Sequence, residues 1–185
     1  MKVIFRFFLT FAMLGFSVTG TIARPVSQLQ KKELVQLVHD MNEAVRRKDT
    51  SLVVDNMPEH LYKEMALRMH MTEMNLREDV KEAVQVQFDQ LADNSYILDA
   101  AGIQYAETKD GTVYALIPTS IETDKNISEF MTLALYENTG WHLIYGGQKT
   151  VQNPVFLEIY PAFADVGMPV PRISRKLSVD EQFPG

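Results

Sequence analysis

The stretch FMTLALYENTGWHLIYGG, Phe130–Gly147, reads as a β-hairpin. Two alternating apolar runs flank Glu137-Asn138-Thr139-Gly140, with Gly140 where a tight turn wants a positive φ. Upstream, Thr112–Ile121 supplies a further strand, and Ile97–Ala106 reads as another, carrying a bulge or bend at Gly102. Pro118 lacks a ladder donor, so its part of the strand is expected at a sheet edge or near the strand's end.

The pattern before these strands is helical. Ser27 with Gln30 three positions on has the capping-box spacing, and Leu29, Leu34, Leu37, Val38, Met41, Ala44 and Val45 then recur, mostly at helical steps. Ser51–Met57 extends this helix or adds a turn. Pro58 suits the first turn of a new helix, whose expected buried stripe is Leu61, Met65 and Met69. A third begins at Thr72, with Leu76, Val80, Ala83, Val84, Phe88 and Leu91 on one face. After the hairpin, Pro154–Ala164 is an apolar segment of one or two helical turns. The prolines beyond it predict an extended or disordered tail over 166–185.

The expected fold is α+β: N-terminal helices packed on a curved antiparallel β-sheet. Helices followed by consecutive antiparallel strands resemble the cone-shaped NTF2-like and wider cystatin-like architectures over roughly Lys31–Phe163. The strings DGTVYALIPT, MTLALYENTGWHLIYGG and EIYPAF also resemble those of small exported bacterial proteins. The resemblance implies a cone with a pocket between sheet and helices. It implies no activity, because this architecture serves isomerases, dehydratases and partner-binding modules alike.

Residues 1–23 carry Lys2 and Arg6, an apolar run Phe7–Val18, and small residues at Thr21 and Ala23. That order predicts a signal peptide cleaved after Ala23 and a periplasmic or secreted bacterial protein, its domain spanning 24–165. The apolar core is shorter than the ~20 residues a spanning helix needs, so no membrane span is expected after cleavage. With Cys 0, the chain has no disulfide or thiol nucleophile and must rely on its core. The net charge is -6, and -8 without the two basic residues of the leader. Such acidity argues against nucleic acid, whose phosphates demand a basic surface.

Enzymatic candidates are Asp99, His142 and Tyr114, which share strand parity with apolar neighbours and would form a base and two donors if they converged. The competing reading puts Asp99 at a strand end, His142 in solvent and Tyr114 in the core. Met57, Met65, Met69, Met71 and Met74 crowd one region with His60 and His70. Thioether and imidazole suit Cu(I), but Met at helical spacing also fills cores. Met69-His70-Met71 cannot all face one side of a helix, so packing is preferred and neither metal nor cofactor is expected. Tyr136, Trp141 and Tyr145 are the candidate aromatic anchors for a binding face, at the mouth of the cone or on the open sheet face, with ordinary sheet packing the competing and preferred reading of each. The reading is an exported non-enzymatic binding or structural domain for a protein partner or a small apolar ligand, with a homodimer through the sheet as one arrangement. A sheet–helix-pocket isomerase or dehydratase, and an immunity protein against a secreted toxin, are the alternatives.

Overall fold

A computed structural model describes residues 26–92, 95–138 and 140–176. The proposed leader lies outside the described residues. Four helices come first: α1 Gln28–Arg47, α2 Thr50–Asp55, α3 Glu59–Arg68 and α4 Glu73–Gln90. The strands β1 Tyr96–Leu98, β2 Gln104–Glu107, β3 Val113–Glu122, β4 Asn126–Glu137 and β5 Gly140–Ile144 follow. Then come α5 Gly147–Val151, α6 Pro154–Ile159, a 3-10 turn Pro161–Phe163 and β6 Arg172–Arg175.

Local chemistry sets the helix ends. The capping box forms as expected: the Ser27 side chain accepts from Gln30 N, and the Gln30 side chain accepts from Ser27 N. Lys48 closes α1 in the left-handed region, and Asp49 starts α2 afresh by accepting from Ser51 N. The segment after α1 is therefore a separate helix, because a left-handed residue cannot continue a right-handed one.

The sheet runs β1-β3-β4-β5 and is antiparallel throughout; β2 also pairs with β3, and β6 with β4. It curls into a half-barrel with helices packed on it, which is the expected α+β class. One face carries Ala115, Ile117, Ala134, Trp141 and Leu143 against Leu34, Val38 and Met41 of α1, Val53 of α2 and Phe88 of α4. The other carries Leu116, Leu133, Leu135 and Ile144 against Leu61 of α3 and against Val151, Phe156, Tyr160, Phe163 and Met168. Both faces are covered over these residues, and the open sheet face expected from the sequence is reduced, among the described residues, to a groove at Pro118, Ser120, Glu129 and Met131. Successive strand residues alternate between the two cores, as the pleat requires.

The cover on the second face depends on Gly146-Gly147. Both have positive φ, 95° and 59°, which turns the chain from β5 straight into α5 and back over the sheet. A Cβ on Gly147 would stand 2.9 Å from the Phe130 ring and 3.3 Å from the Met131 carbonyl oxygen.

Three further expectations need correction. Ile97–Ala106 is two strands, with a turn at 99–103 between them. Pro118 sits in the middle of β3, not at its end, and it faces that interruption. Its carbonyl accepts from Asp99 N at 2.8 Å. A residue's N and C=O point to the same side of a strand, so the missing N–H costs no ladder bond. The positive φ of the hairpin falls on Asn138 (49°), and Gly140 instead opens β5 opposite Glu137. Asn tolerates that conformation better than most residues with a Cβ.

Of the expected tail, residues 166–176 join the fold, and 177–185 lie outside the described residues. Met168 is buried in the second core, and β6 adds a rung pattern from Asn126↔Arg175 to Glu129↔Arg172. The packed unit therefore extends past 165.

Two asparagines close the sheet's outer edges. Asn42 Nδ2 donates to the Leu98 carbonyl at 2.9 Å, and its Oδ1 accepts from Leu98 N at 2.9 Å. At the opposite edge Asn56 Nδ2 donates to the Trp141 carbonyl at 3.0 Å, and its Oδ1 accepts from Leu143 N at 2.9 Å. Each side-chain amide copies one strand's rung, so β1 and β5 do not present those groups unpaired.

Candidate functional site

The enzymatic candidates occupy three different surroundings. Tyr114, Leu135 and His142 lie in one row across β3, β4 and β5, on the face covered by the C-terminal helices. The Tyr114 ring packs edge-on against Phe163 with centroids 5.5 Å apart. His142 Nδ1 lies 3.1 Å from the Asn56 carbonyl oxygen. A carbonyl only accepts, so this bond puts a proton on Nδ1. Asp99 stands beside Pro118, four residues along β3 from Tyr114, which is roughly 13 Å of strand. Its carboxylate accepts from Ala101 N at 2.9 Å, and it lines an open groove with Ser120, Glu129 and Arg172. Parity brought Tyr114 and His142 to one face, but nothing brings Asp99 to them.

The candidate anchors line the other core. Trp141 is 5 % exposed, donates from Nε1 to the Gln30 carbonyl at 2.7 Å, and meets Tyr136 and Tyr105 edge-on at 5.3 and 6.1 Å. Tyr136 and Tyr145 are half-buried. The Tyr145 hydroxyl donates to Met41 Sδ at 3.2 Å, and burial pushes its pKa well up. Trp141 is thus a packing residue beneath α1, not a ring on a free surface.

Three of the methionines line a groove. Met57, Leu61, Met65 and Met69 from α3 and its approach, Ile144 and Tyr145 from the end of β5, and Val155 and Phe156 from α6 line a groove of about 610 Å³. The stripe Leu61, Met65, Met69 was expected to be buried. Instead its exposure rises along the helix, from 5 % at Leu61 through a half-buried Met65 to 54 % at Met69. Helix α3 is shared between a core at its start and a groove at its end. Met71 joins the small core between α3 and α4, and Met74 points to solvent at 71 % exposure. His60 and His70 are outside the groove's lining, so the thioethers there stand without imidazole.

The sequence reading missed the groove's other wall. Val155 and Phe156 lie some ninety residues from Met65, and only the Gly146-Gly147 reversal brings them opposite. The rim is cationic. Arg68 and Lys149 line it with Thr150 and Asn153. Arg68 is engaged by Glu158 at 2.6 Å.

Beneath α3, Tyr62 is 1 % exposed, donates to the Val54 carbonyl at 3.0 Å, and carries the Arg77 guanidinium 4.0 Å over its ring. Burial raises its pKa to about 12, and the Arg77 charge only partly opposes this. The folded-state pKa lies above the ordinary 10.0, so the stabilisation is complete below pH 10 and lost as pH rises toward 12. The loss should reach roughly 2–3 kcal/mol from this phenol alone. Burial raises Tyr96 to about 12 as well, and Tyr160 is pushed higher still by burial and the nearby Glu137 carboxylate. Absorbance titration at alkaline pH should therefore lag behind that of the denatured chain, with Tyr62→Phe removing part of the lag. Superimposed titration curves would contradict the buried phenols.

Among the described residues, no three His, Cys, Asp or Glu side chains group to hold a metal ion, and no helix is long and apolar enough to cross a membrane. Set against known proteins, the chain matches no family model, no curated protein and no solved structure, so the fold and the methionine groove are what describe it.

Proposed function

We propose that the chain is an exported, non-enzymatic binding domain of NTF2-like type that takes a small apolar ligand in the groove between α3 and α6. The observation that carries this is the groove itself. Its volume of about 610 Å³ falls within the range of ligand sites, about 300–1,000 Å³, and its lining is mostly apolar. Three of its side chains are methionines, whose flexible thioethers adapt to ligands of varied shape. Helices first and a curled antiparallel sheet after them support the NTF2-like assignment. The basic, apolar, small-residue order of residues 1–23 supports export. The separation of Asp99 from Tyr114 and His142 favours binding over catalysis.

The test is a fluorescent apolar probe such as N-phenyl-1-naphthylamine. The full chain should enhance its emission with saturable one-to-one binding. Met69→Asp should weaken that binding at least tenfold while leaving the fold intact, because Met69 is 54 % exposed. Absent or non-saturable enhancement, or equal binding by the variant, would remove the groove as the site.

A further inference from the structure

The rim specifies one end of the ligand. Lys149 lies on α5, and it makes no ion pair among the described residues. The other cation of the rim, Arg68, is already neutralised by Glu158 at 2.6 Å. Thr150 is the next residue, and Asn153 stands one turn on from Lys149. Asn153 Oδ1 accepts from Val155 N at 2.9 Å, which leaves its Nδ2 hydrogens as donors. The groove thus has an apolar floor and, at the α5 side, an ammonium, a hydroxyl and an amide. The Glu158 carboxylate beside this rim is taken up by Arg68.

We infer that the groove binds a single-chain carboxylate amphiphile, with its apolar body along Met57, Met65, Met69 and Phe156 and its carboxylate at Lys149. This rests on the groove being the ligand site. Charge complementarity chooses the head group: a cationic or neutral head would leave Lys149 without a partner. The count of charges chooses a monoanion. One unneutralised cation balances a carboxylate, whereas a phosphate monoester carries about -1.5 to -2 at neutral pH and would keep unbalanced charge. The apolar floor supplies affinity and the single rim charge supplies orientation.

The experiment is displacement of the fluorescent probe from the full chain by decanoate, 1-decanol, decyltrimethylammonium and decyl phosphate, each below its aggregation concentration. Decanoate should compete about fivefold better than 1-decanol at low salt, the scale of one partly exposed ion pair. The gap should narrow in high salt. Lys149→Gln should close it while leaving 1-decanol unchanged, and decyltrimethylammonium should be the weakest. Equal competition by decanoate and 1-decanol would overturn the head-group assignment while the groove stood. Stronger competition by decyl phosphate than by decanoate would overturn the monoanion. Failure of all four ligands and of the probe itself would instead overturn the groove as a binding site.

Discussion

Trp141→Ala should destabilise the protein by about 3–5 kcal/mol, the usual cost of removing a large buried aromatic. The indole is 5 % exposed and joins the first core with Leu34, Val38 and Leu143. Its removal deletes the edge-on contacts with Tyr105 and Tyr136 and the hydrogen bond from Nε1 to the Gln30 carbonyl at 2.7 Å. That carbonyl lies in the first turn of α1, so the indole also pins the helix's N-terminal end to β5. A whole domain is typically held by only ~5–15 kcal/mol, so the variant should lose a large part of its stability. Chemical denaturation reads the loss directly. In the wild type the emission of this single Trp should resist quenching by acrylamide. A readily quenched Trp together with an unchanged denaturation midpoint would place the ring on the surface and defeat the packing role. Trp141→Phe separates the two contributions: it keeps most of the apolar volume and loses the hydrogen bond, so its cost should be markedly smaller.

Asn56→Ala should cost about 2–5 kcal/mol, far more than an ordinary polar-to-Ala change. The truncation leaves two backbone groups of β5 without partners, the Trp141 carbonyl and the Leu143 N–H. An unsatisfied buried donor or acceptor costs about 1–3 kcal/mol, and here two are left at once. Asn56→Asp is the informative companion. It preserves the acceptor for Leu143 N but replaces the donor to the Trp141 carbonyl with a second acceptor, so it should be no better tolerated than Ala. Asn56→Gln carries the same groups one methylene too far and should rescue little. The readouts are the denaturation midpoint, which should fall in all three variants, and amide exchange at Leu143, which should accelerate in Asn56→Ala. An Asn56→Ala protein with wild-type midpoint and a protected Leu143 amide would show that the edge is closed by something else. Loss of the cap also exposes a strand edge, so concentration-dependent aggregation should accompany the destabilisation.

The elements whose information is local were legible in the sequence. The Ser27/Gln30 capping box, the α1 stripe and the two hairpin strands formed where their side chains placed them. Periods of 3.6 and 2 are properties of neighbouring residues, so pattern alone reveals them. The signals that failed were those that depend on a partner strand or a distant wall. The sequence shows that Gly102 permits a bend, but only packing turns it into a break between strands. There a Cβ would meet the Pro118 ring at 2.7 Å and Asp99 Oδ2 at 2.9 Å. Trp141 could serve as an anchor or a core residue, because aromatic chemistry serves both, with packing the preferred reading. The placement of α1 over β5 decided it.

The class of fold, the cysteine-free core and the acidic charge followed from residues 1–185 read as a string. What covers the second face did not, because Val151, Phe156 and Phe163 reach Leu133 and Leu135 only after the Gly146-Gly147 reversal. The methionine groove is the same case. Its methionines were visible as a cluster, and their spacing fitted a buried stripe. They became a lined, solvent-open groove because Ile144, Val155 and Phe156 stand across from them. A helix's own sequence specifies which side chains share a face; what that face meets is set by chain segments far away, and only the tertiary structure contains that information.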